Sequence, residues 1–455
     1  MRTARFWEMT KELIRKELFF NKLPFWIFAA LLFLLPFQAF LQVWLRFKLG
    51  LPLEQVFYLS LWKEFLVATL ILLAGLKIAL EKKVPFKILT LDKLIFGFFL
   101  LALLYFFAFG GGLEQKITGL RYDLEFFGIY FLARIFQFSK YQIKAFLGIF
   151  LGTAAVAVVF GLLQVSLIPP DFLVKLGYSG SFEEYLKTGI IPTYEPLSSA
   201  LSNLYRIQST FPGDLQFSSY LILVVTFLGA IVLFSKTKTK IYLAIPLLAS
   251  AIALAATFTR SAWIGFVFAG FAILLIFVKR KIYIILPAIA LIVLSFASFK
   301  MLLENKTFET LILHGEVRGG ELFGSTEGHK SAFGEAVNII VQNPLGKGVG
   351  TAGPASKVGE KVVIPESWYL QILIEFGVLG LILFVGIIIS LGKKLYLIYQ
   401  KAKDPLPKML ALGLLGALIG LSVQNLFLHT WADTATAYPF WLFAGLLVAL
   451  FGKER

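Results

Sequence analysis

The sequence predicts an all-α integral membrane protein of about twelve transmembrane helices, and three observations predict it. Of the 455 residues, 58% are hydrophobic and only 15% are charged, well above the roughly 45–50% apolar usage of soluble domains. Apolar runs long enough to cross a bilayer recur from one end of the chain to the other. Between them, Lys and Arg gather in alternate short loops, as the orientation bias of membrane proteins requires.

The first run covers about 24–46, and runs near 56–80, 94–110, 122–137, 145–167 and 215–234 follow. The remaining six lie near 241–258, 262–278, 282–299, 367–391, 409–428 and 435–452. Twelve spans return both termini to one side. Counting from the N-terminus, every second connection is basic: Lys82, Lys83, Lys87 and Lys93; then Arg134, Lys140 and Lys144; then Lys236, Lys238 and Lys240. Lys279, Arg280 and Lys281 come next, followed by Lys393 through Lys408 and the terminal Lys453 and Arg455. These clusters mark the cytoplasmic side, so both termini are expected there.

The basic, amphipathic stretch before Pro24 shows no small-residue cleavage site and is read as a retained cytoplasmic lead-in. The formal net charge of +16 would suit nucleic acid, but its residues sit between apolar runs, where anionic lipids supply the counter-charge. No nucleic-acid partner is expected. There is no cysteine, which excludes disulfides and thiolate chemistry. The three histidines, His314, His329 and His429, stand far apart on different segments, so no metal site and no cofactor is expected. No internal repeat suggests a two-half transporter.

The opposite connections differ in kind. Two of them are long, 168–213 and 300–366, and carry Pro, Gly, Tyr and acidic residues in place of basic clusters. Loops of that length are functional or disordered. The helix-like stretch at 331–342 argues for order in the second. The chain thus reads as one membrane domain, 1–455, whose chemistry gathers at the outer face.

Ionisable residues within membrane segments mark function. Lys63 and Glu64 lie inside the second run; Arg121, Asp123 and Glu125 open the fourth; Arg206 precedes the sixth. Arg260 occupies a reversal, TFTRSAW, almost too tight to be a loop, and Glu366 begins the tenth run. Lys63 with Glu64 reads first as a structural or snorkelling pair, and Arg121 with its acidic neighbours equally as an interfacial anchor. Arg206 sits in a Gly/Pro/Asp turn, and Arg260 cannot snorkel to the far side. Arginine's permanently charged fork matches phosphate oxygens in pairs. Arginines on the outer leaflet therefore point to a polyprenyl-diphosphate substrate, whose departing charge they stabilise. A carboxylate such as Glu366 then serves as general base on a sugar hydroxyl. No metal is needed for this.

At these residues the sequence resembles the bacterial O-antigen ligase and polymerase family. The Arg206–Asp214 segment with its Phe-Pro-Gly turn, the Thr259-Arg260-Ser261-Ala262-Trp263 turn and the Pro344-Leu345-Gly346-Lys347-Gly348-Val349-Gly350 run match the family in order and placement. So do Glu366 through Gln371 and Glu375-Phe376-Gly377. The glycine run has no βαβ context and reads as a tight turn, not a nucleotide loop.

The resemblance implies a GT-C-like membrane glycosyltransferase of the bacterial inner membrane with its site facing the periplasm. It would transfer a glycan from undecaprenyl diphosphate to lipid A–core, or else to a growing glycan as a polymerase; a protein-glycosylating relative is a third option. Arg206, Arg260 and Glu366 would be catalytic, while Arg121, His329 and Lys63 would contact diphosphate or acceptor. Glu366 departs from the family, because lipid A–core ligases typically carry His there. His329 stands where many members have a basic residue. A lipid-linked sugar flippase is the rival from another class, and it requires charges along the membrane midplane.

Overall fold

The computed structural model describes residues 18–180, 191–194, 205–286, 317–318, 321–322 and 325–453. They form a helical bundle. α1 (Leu23–Leu34) and α2 (Gln38–Phe47) make one run, bent by a 3-10 turn at Leu35–Phe37 around Pro36. The second apolar run divides into α3 (Leu53–Ser60) and α4 (Trp62–Glu81), and α5 (Thr90–Ala108), α6 (Leu113–Phe136) and α7 (Lys140–Ser166) follow. After a short α8 (Pro170–Leu176) come α9 (Asp214–Phe234), α10 (Thr237–Ala256) and α11 (Arg260–Phe277). The long second loop carries a two-strand hairpin, Val317–Arg318 with Glu321–Leu322, then α12 (Ser325–Gln342) and a 3-10 turn at Gly353–Val358. The chain closes with α13 (Trp368–Lys401), α14 (Pro405–Gln424) and α15 (Thr434–Lys453).

Among the described residues, nine helices are long and apolar enough to cross a membrane. The expected spans on α4 and α6 are not among them because both helices carry several charges. Lys63, Glu64, Lys77 and Glu81 punctuate α4, and six charged residues from Glu114 to Arg134 punctuate α6. Most of the run expected at 282–299 lies outside the described residues. The protein is an all-α integral membrane protein.

Two expectations of detail are corrected. Arg121, Asp123 and Glu125 do not open their helix: α6 starts at Leu113, so they sit more than two turns inside it. The added turns are held from outside, where the Gln115 amide donates to the carbonyl of Gly350 at 2.8 Å. The run expected at 409–428 ends as a helix at Gln424. There the Asn425 side chain turns back to the Leu421 carbonyl and accepts from the amide of Thr430, which closes a polar turn.

α14 lies at the centre, packed on α9, α11, α13 and α15. Its crossing with α11 is close because both sides lack a side chain. A Cβ added to Gly265 would come within 2.7 Å of the Gly420 carbonyl oxygen. Small residues at such crossings let backbones approach and gain dispersion contact where lipid offers no hydrophobic drive. Large apolar side chains that point outward, such as Phe65, Leu100 and Phe107, face lipid. Helix alternation then places Lys82, Lys93, Lys140, Lys236 and Lys408 at one end of the bundle. The starts of α4, α9, α11, α13 and α15 lie at the other, with the two long loops.

Candidate functional site

The second, less basic end carries the site. Arg206 and the Arg260 turn are 54 residues apart in sequence, and the fold joins them through Asp214. An Arg206 guanidinium nitrogen stands 3.9 Å from an Asp214 carboxylate oxygen. The Thr259 hydroxyl donates to that same oxygen at 3.1 Å. Backbone pairing completes the seam, with the Ile207 amide donating to the Ala256 carbonyl at 3.3 Å. The reversal between α10 and α11 is as tight as its sequence suggests, three residues long.

The Arg206 segment is pinned on both sides. The Thr210 hydroxyl donates to the Pro36 carbonyl at 2.7 Å, which ties it to the bend between α1 and α2. The Gln164 side chain of α7 brackets Ser209, accepting from its amide at 2.7 Å and donating to its carbonyl at 3.2 Å. Such pinning is what a fixed cation requires, since an arginine on a mobile loop would need reorganising each time its ligand arrived.

Lys63, Glu64 and Arg121 form a second charged group. Glu64 bridges the other two, 3.7 Å from Lys63 and 3.1 Å from Arg121. Lys63 also donates to Gln38 of α2 at 3.3 Å, and the Arg121 guanidinium lies 4.9 Å from the Tyr122 ring centre. Lys63 and Glu64 do pair, and Arg121 joins them, with Glu125 on the same wall of the site.

Between the two groups opens a cavity of about 390 Å³. Lys63, Arg121 and Glu125 line one wall; Phe211, Pro212, Gln216 and Ser219 line another. The short connection between α14 and α15 supplies His429, Thr430, Trp431 and Asp433, and Lys357 reaches in from the 3-10 turn of the large loop. Arg206, Arg260 and Glu366 are not among the residues that line this cavity; Arg206 and Glu366 adjoin it through neighbours. Arg206 does so through Phe211 and Pro212 on its own segment. Glu366 does so through Trp368, whose amide donates to the carbonyls of Asn425 and Leu428, both at 3.0 Å. His329 falls in the first turns of α12, where the side chains lie outside the described residues.

Backbone strain collects here. Among the described non-glycine residues with positive φ, Ser209 (53°), Phe258 (51°) and Glu366 (51°) all lie at this end. The first follows Arg206 by three residues, the second precedes Arg260 by two, and the third is the proposed base itself. Such conformations cost about 1–3 kcal/mol each and persist where the surroundings over-determine them, as they do at working sites.

Sequence reasoning did not single out His429, Asp433 or Lys357. Asp433 accepts from the Thr436 hydroxyl at 2.7 Å, and burial pushes its carboxyl up to about 6. Burial lowers His429 to about 4, so its imidazole is neutral at physiological pH. The available signal was the polar pattern Asn425, His429, Asp433 interrupting two apolar runs. Beneath the site, the Gln371 amide donates to buried Asp123 at 3.0 Å, and the Ala352 amide donates to buried Glu375 at 3.1 Å. No group of three or more His, Asp and Glu residues placed to hold a metal ion occurs among the described residues.

Residues 245–385 match the O-antigen ligase family model. The resemblance read from the motifs is borne out over that stretch. It takes in the Arg260 turn, α12, the glycine run, Glu366 and the first half of α13; Arg206, Lys63 and Arg121 lie before it. The match supports a function of the O-antigen ligase or polymerase type. No curated protein matches the chain.

Proposed function

We propose that this protein is a membrane glycosyltransferase that moves a glycan from undecaprenyl diphosphate to a sugar hydroxyl of lipid A–core, an O-antigen ligase. The observation that carries the reading is the convergence of Arg206 and the Thr259–Arg260 turn on Asp214, next to a cavity lined by three further cations, Lys63, Arg121 and Lys357. Arg206 and Arg260 bind the donor diphosphate, and Lys63 and Arg121 hold the remaining anionic or hydroxyl groups. The acceptor oxygen attacks the anomeric carbon from the face opposite the diphosphate, with inversion. The carbon–oxygen bond to phosphate breaks, its electron pair leaves with the diphosphate, and fixed guanidinium groups stabilise that charge. Glu366 takes the proton of the attacking hydroxyl. None of these steps calls on a metal, and the site faces the periplasm.

In a reaction of undecaprenyl-diphosphate glycan with purified protein, Arg206→Ala and Arg260→Ala each abolish transfer while the protein stays in the membrane. Glu366→Gln blocks turnover more than donor binding. Full activity in an arginine variant removes the diphosphate role, and an active Gln variant removes the base. Activity survives excess chelator; chelator-sensitive transfer would count against the metal-free mechanism. Offering lipid A–core or a second donor molecule as acceptor separates ligase from polymerase by the product formed. The glutamate at 366, in place of the histidine typical of lipid A–core ligases, is the feature that keeps the polymerase reading in play.

A flippase would need a charged path through the bundle. The buried charges Asp92, Arg134 and Lys77 cluster near the basic end, where Asp92 pairs with Arg134, and Asp123 and Glu375 lie beneath the site. Among the described residues no other charged side chain is as deeply buried, which favours a surface site over a conduit.

A further inference from the structure

We propose that α12, part of the large outer loop, lies in the membrane interface with one face of its last turns inserted among the acyl chains of the outer leaflet. The proposal rests on the bundle spanning a membrane and is independent of the transferase reading.

At about 100° per residue, the described side chains of α12 sort into three arcs. Ala336, Ile339 and Ile340 form the first and pack on Leu370 and Ile374 of α13 and on Ala352 and Val363 of the loop. Ser331, Glu335, Asn338 and Gln342 form a second arc, exposed and polar. Glu335 pairs with Lys361 at 3.0 Å and Gln342 with Asn338 at 3.1 Å, so this arc belongs to water and to the loop above. Phe333, Val337 and Val341 form the third, at i, i+4 and i+8 between the other two, with 58%, 38% and 73% of their surfaces exposed. A wholly aqueous loop gains nothing from such a stripe. An interfacial helix requires one.

What covers the stripe follows from where it leads. Leu345, just past the helix, is 74% exposed. Its backbone is fixed to two spans: the Tyr105 hydroxyl of α5 donates to the Leu345 carbonyl at 2.5 Å, and the Val378 amide of α13 donates to the Pro344 carbonyl at 3.2 Å. Val378, Leu379 and Ile382 continue the exposed apolar surface along α13, and Leu103, Leu104 and Phe107 do so along α5. Those surfaces face lipid because their helices cross the bilayer. The stripe on α12 is the upper continuation of that lipid-facing surface, so the occupant is the acyl region of the same bilayer.

The chain contains no cysteine, so a single introduced cysteine reports on one position. Phe333→Cys, Val337→Cys and Val341→Cys, with Glu335→Cys, Asn338→Cys and Gln342→Cys as the opposite face, are spin-labelled and reconstituted in phosphatidylethanolamine–phosphatidylglycerol vesicles. For the first three, collisions with dissolved oxygen exceed those with a water-soluble nickel chelate, at a depth of about 5–10 Å below the head groups. For the other three the order reverses. Chelate access at all six positions would place the helix in water and overturn the proposal. Low access to both reagents at the apolar three would mean that protein covers them, which overturns it equally. A variant that misfolds is recognised by aggregation on size-exclusion chromatography in detergent, and the remaining five positions still decide the question.

Discussion

His429 and Asp433 stand four residues apart on the cavity wall, and burial moves their proton affinities in opposite senses. The histidine falls from 6.5 to about 4, so between those values the unfolded chain binds more protons than the folded one. Its effect is to make stability rise with pH across about 4 to 6.5. The aspartate rises from 3.8 to about 6, so the folded chain binds more protons in that window. Its contribution is fully present below 3.8 and is lost as pH climbs through about 6. The two slopes oppose each other over most of the range from pH 4 to 6. His429→Gln therefore leaves the aspartate slope uncompensated, and melting temperature falls relative to wild type as pH goes from 4 to 6. Asp433→Asn does the reverse, and melting temperature gains on wild type from about 4 up to about 6. Thermal unfolding in detergent across that range measures both. Parallel profiles for the two variants and wild type would show that these side chains do not titrate as their burial dictates.

At the scale of elements, the outer loop is seated by backbone contact. Within α13, Gly377 adopts φ 63° and ψ −165°, a kink that divides the helix into two segments and breaks the ladder. Into that break fits the turn Pro344–Gly346. A Cβ on Gly377 would meet the Leu345 carbonyl carbon at 2.5 Å, and one on Gly346 would meet the Glu375 carbonyl oxygen at 2.6 Å. The amides of Lys347 and Gly348 donate to the carbonyls freed by the break, those of Ile374 and Glu375, at 2.7 and 3.0 Å. Both glycines have positive φ, so alanine is strained at either as well as crowded. Gly346→Ala and Gly377→Ala each cost about 1–3 kcal/mol, read as lost thermal stability and lost transfer. Because both release the same contact, the double variant loses clearly less than the sum, and full additivity would disprove the shared seat. The sequence showed the two glycine motifs as separate marks more than two dozen residues apart. It could not show them as one joint, because carbonyl–amide seating has no side-chain signature. For the same reason α6 was expected to begin late: Glu114 and Lys116 read as loop until Gln115 is seen tied to Gly350.

Across the whole molecule, what was legible and what was not divide along a physical line. Span count and alternation are set by bulk hydrophobicity and by loop charge, both additive along the chain; nine of the twelve expected spans recur among the described residues, charge interrupts α4 and α6, and the run at 282–299 lies mostly outside those residues. The arginine turns were legible because arginine in apolar surroundings is costly enough to stand out alone. The cavity was not: its walls come from segments as distant as Pro36 and Tyr438, and only folding brings them together. One global property joins the two descriptions, the contrast between an end dense in Lys and Arg and an end that carries the site. If the orientation bias holds, the dense end faces the cytoplasm. Alkaline phosphatase fused after Gly359, beside the cavity, is then active in cells, whereas fusion after Lys240 or after Lys403 leaves it inactive, and a fluorescent protein at the C-terminus glows. The opposite pattern would turn Arg206 and Arg260 toward the cytoplasm. A donor presented on the outer leaflet could not then reach them, and the proposed transfer would fail on geometry alone, whatever the residues themselves could do.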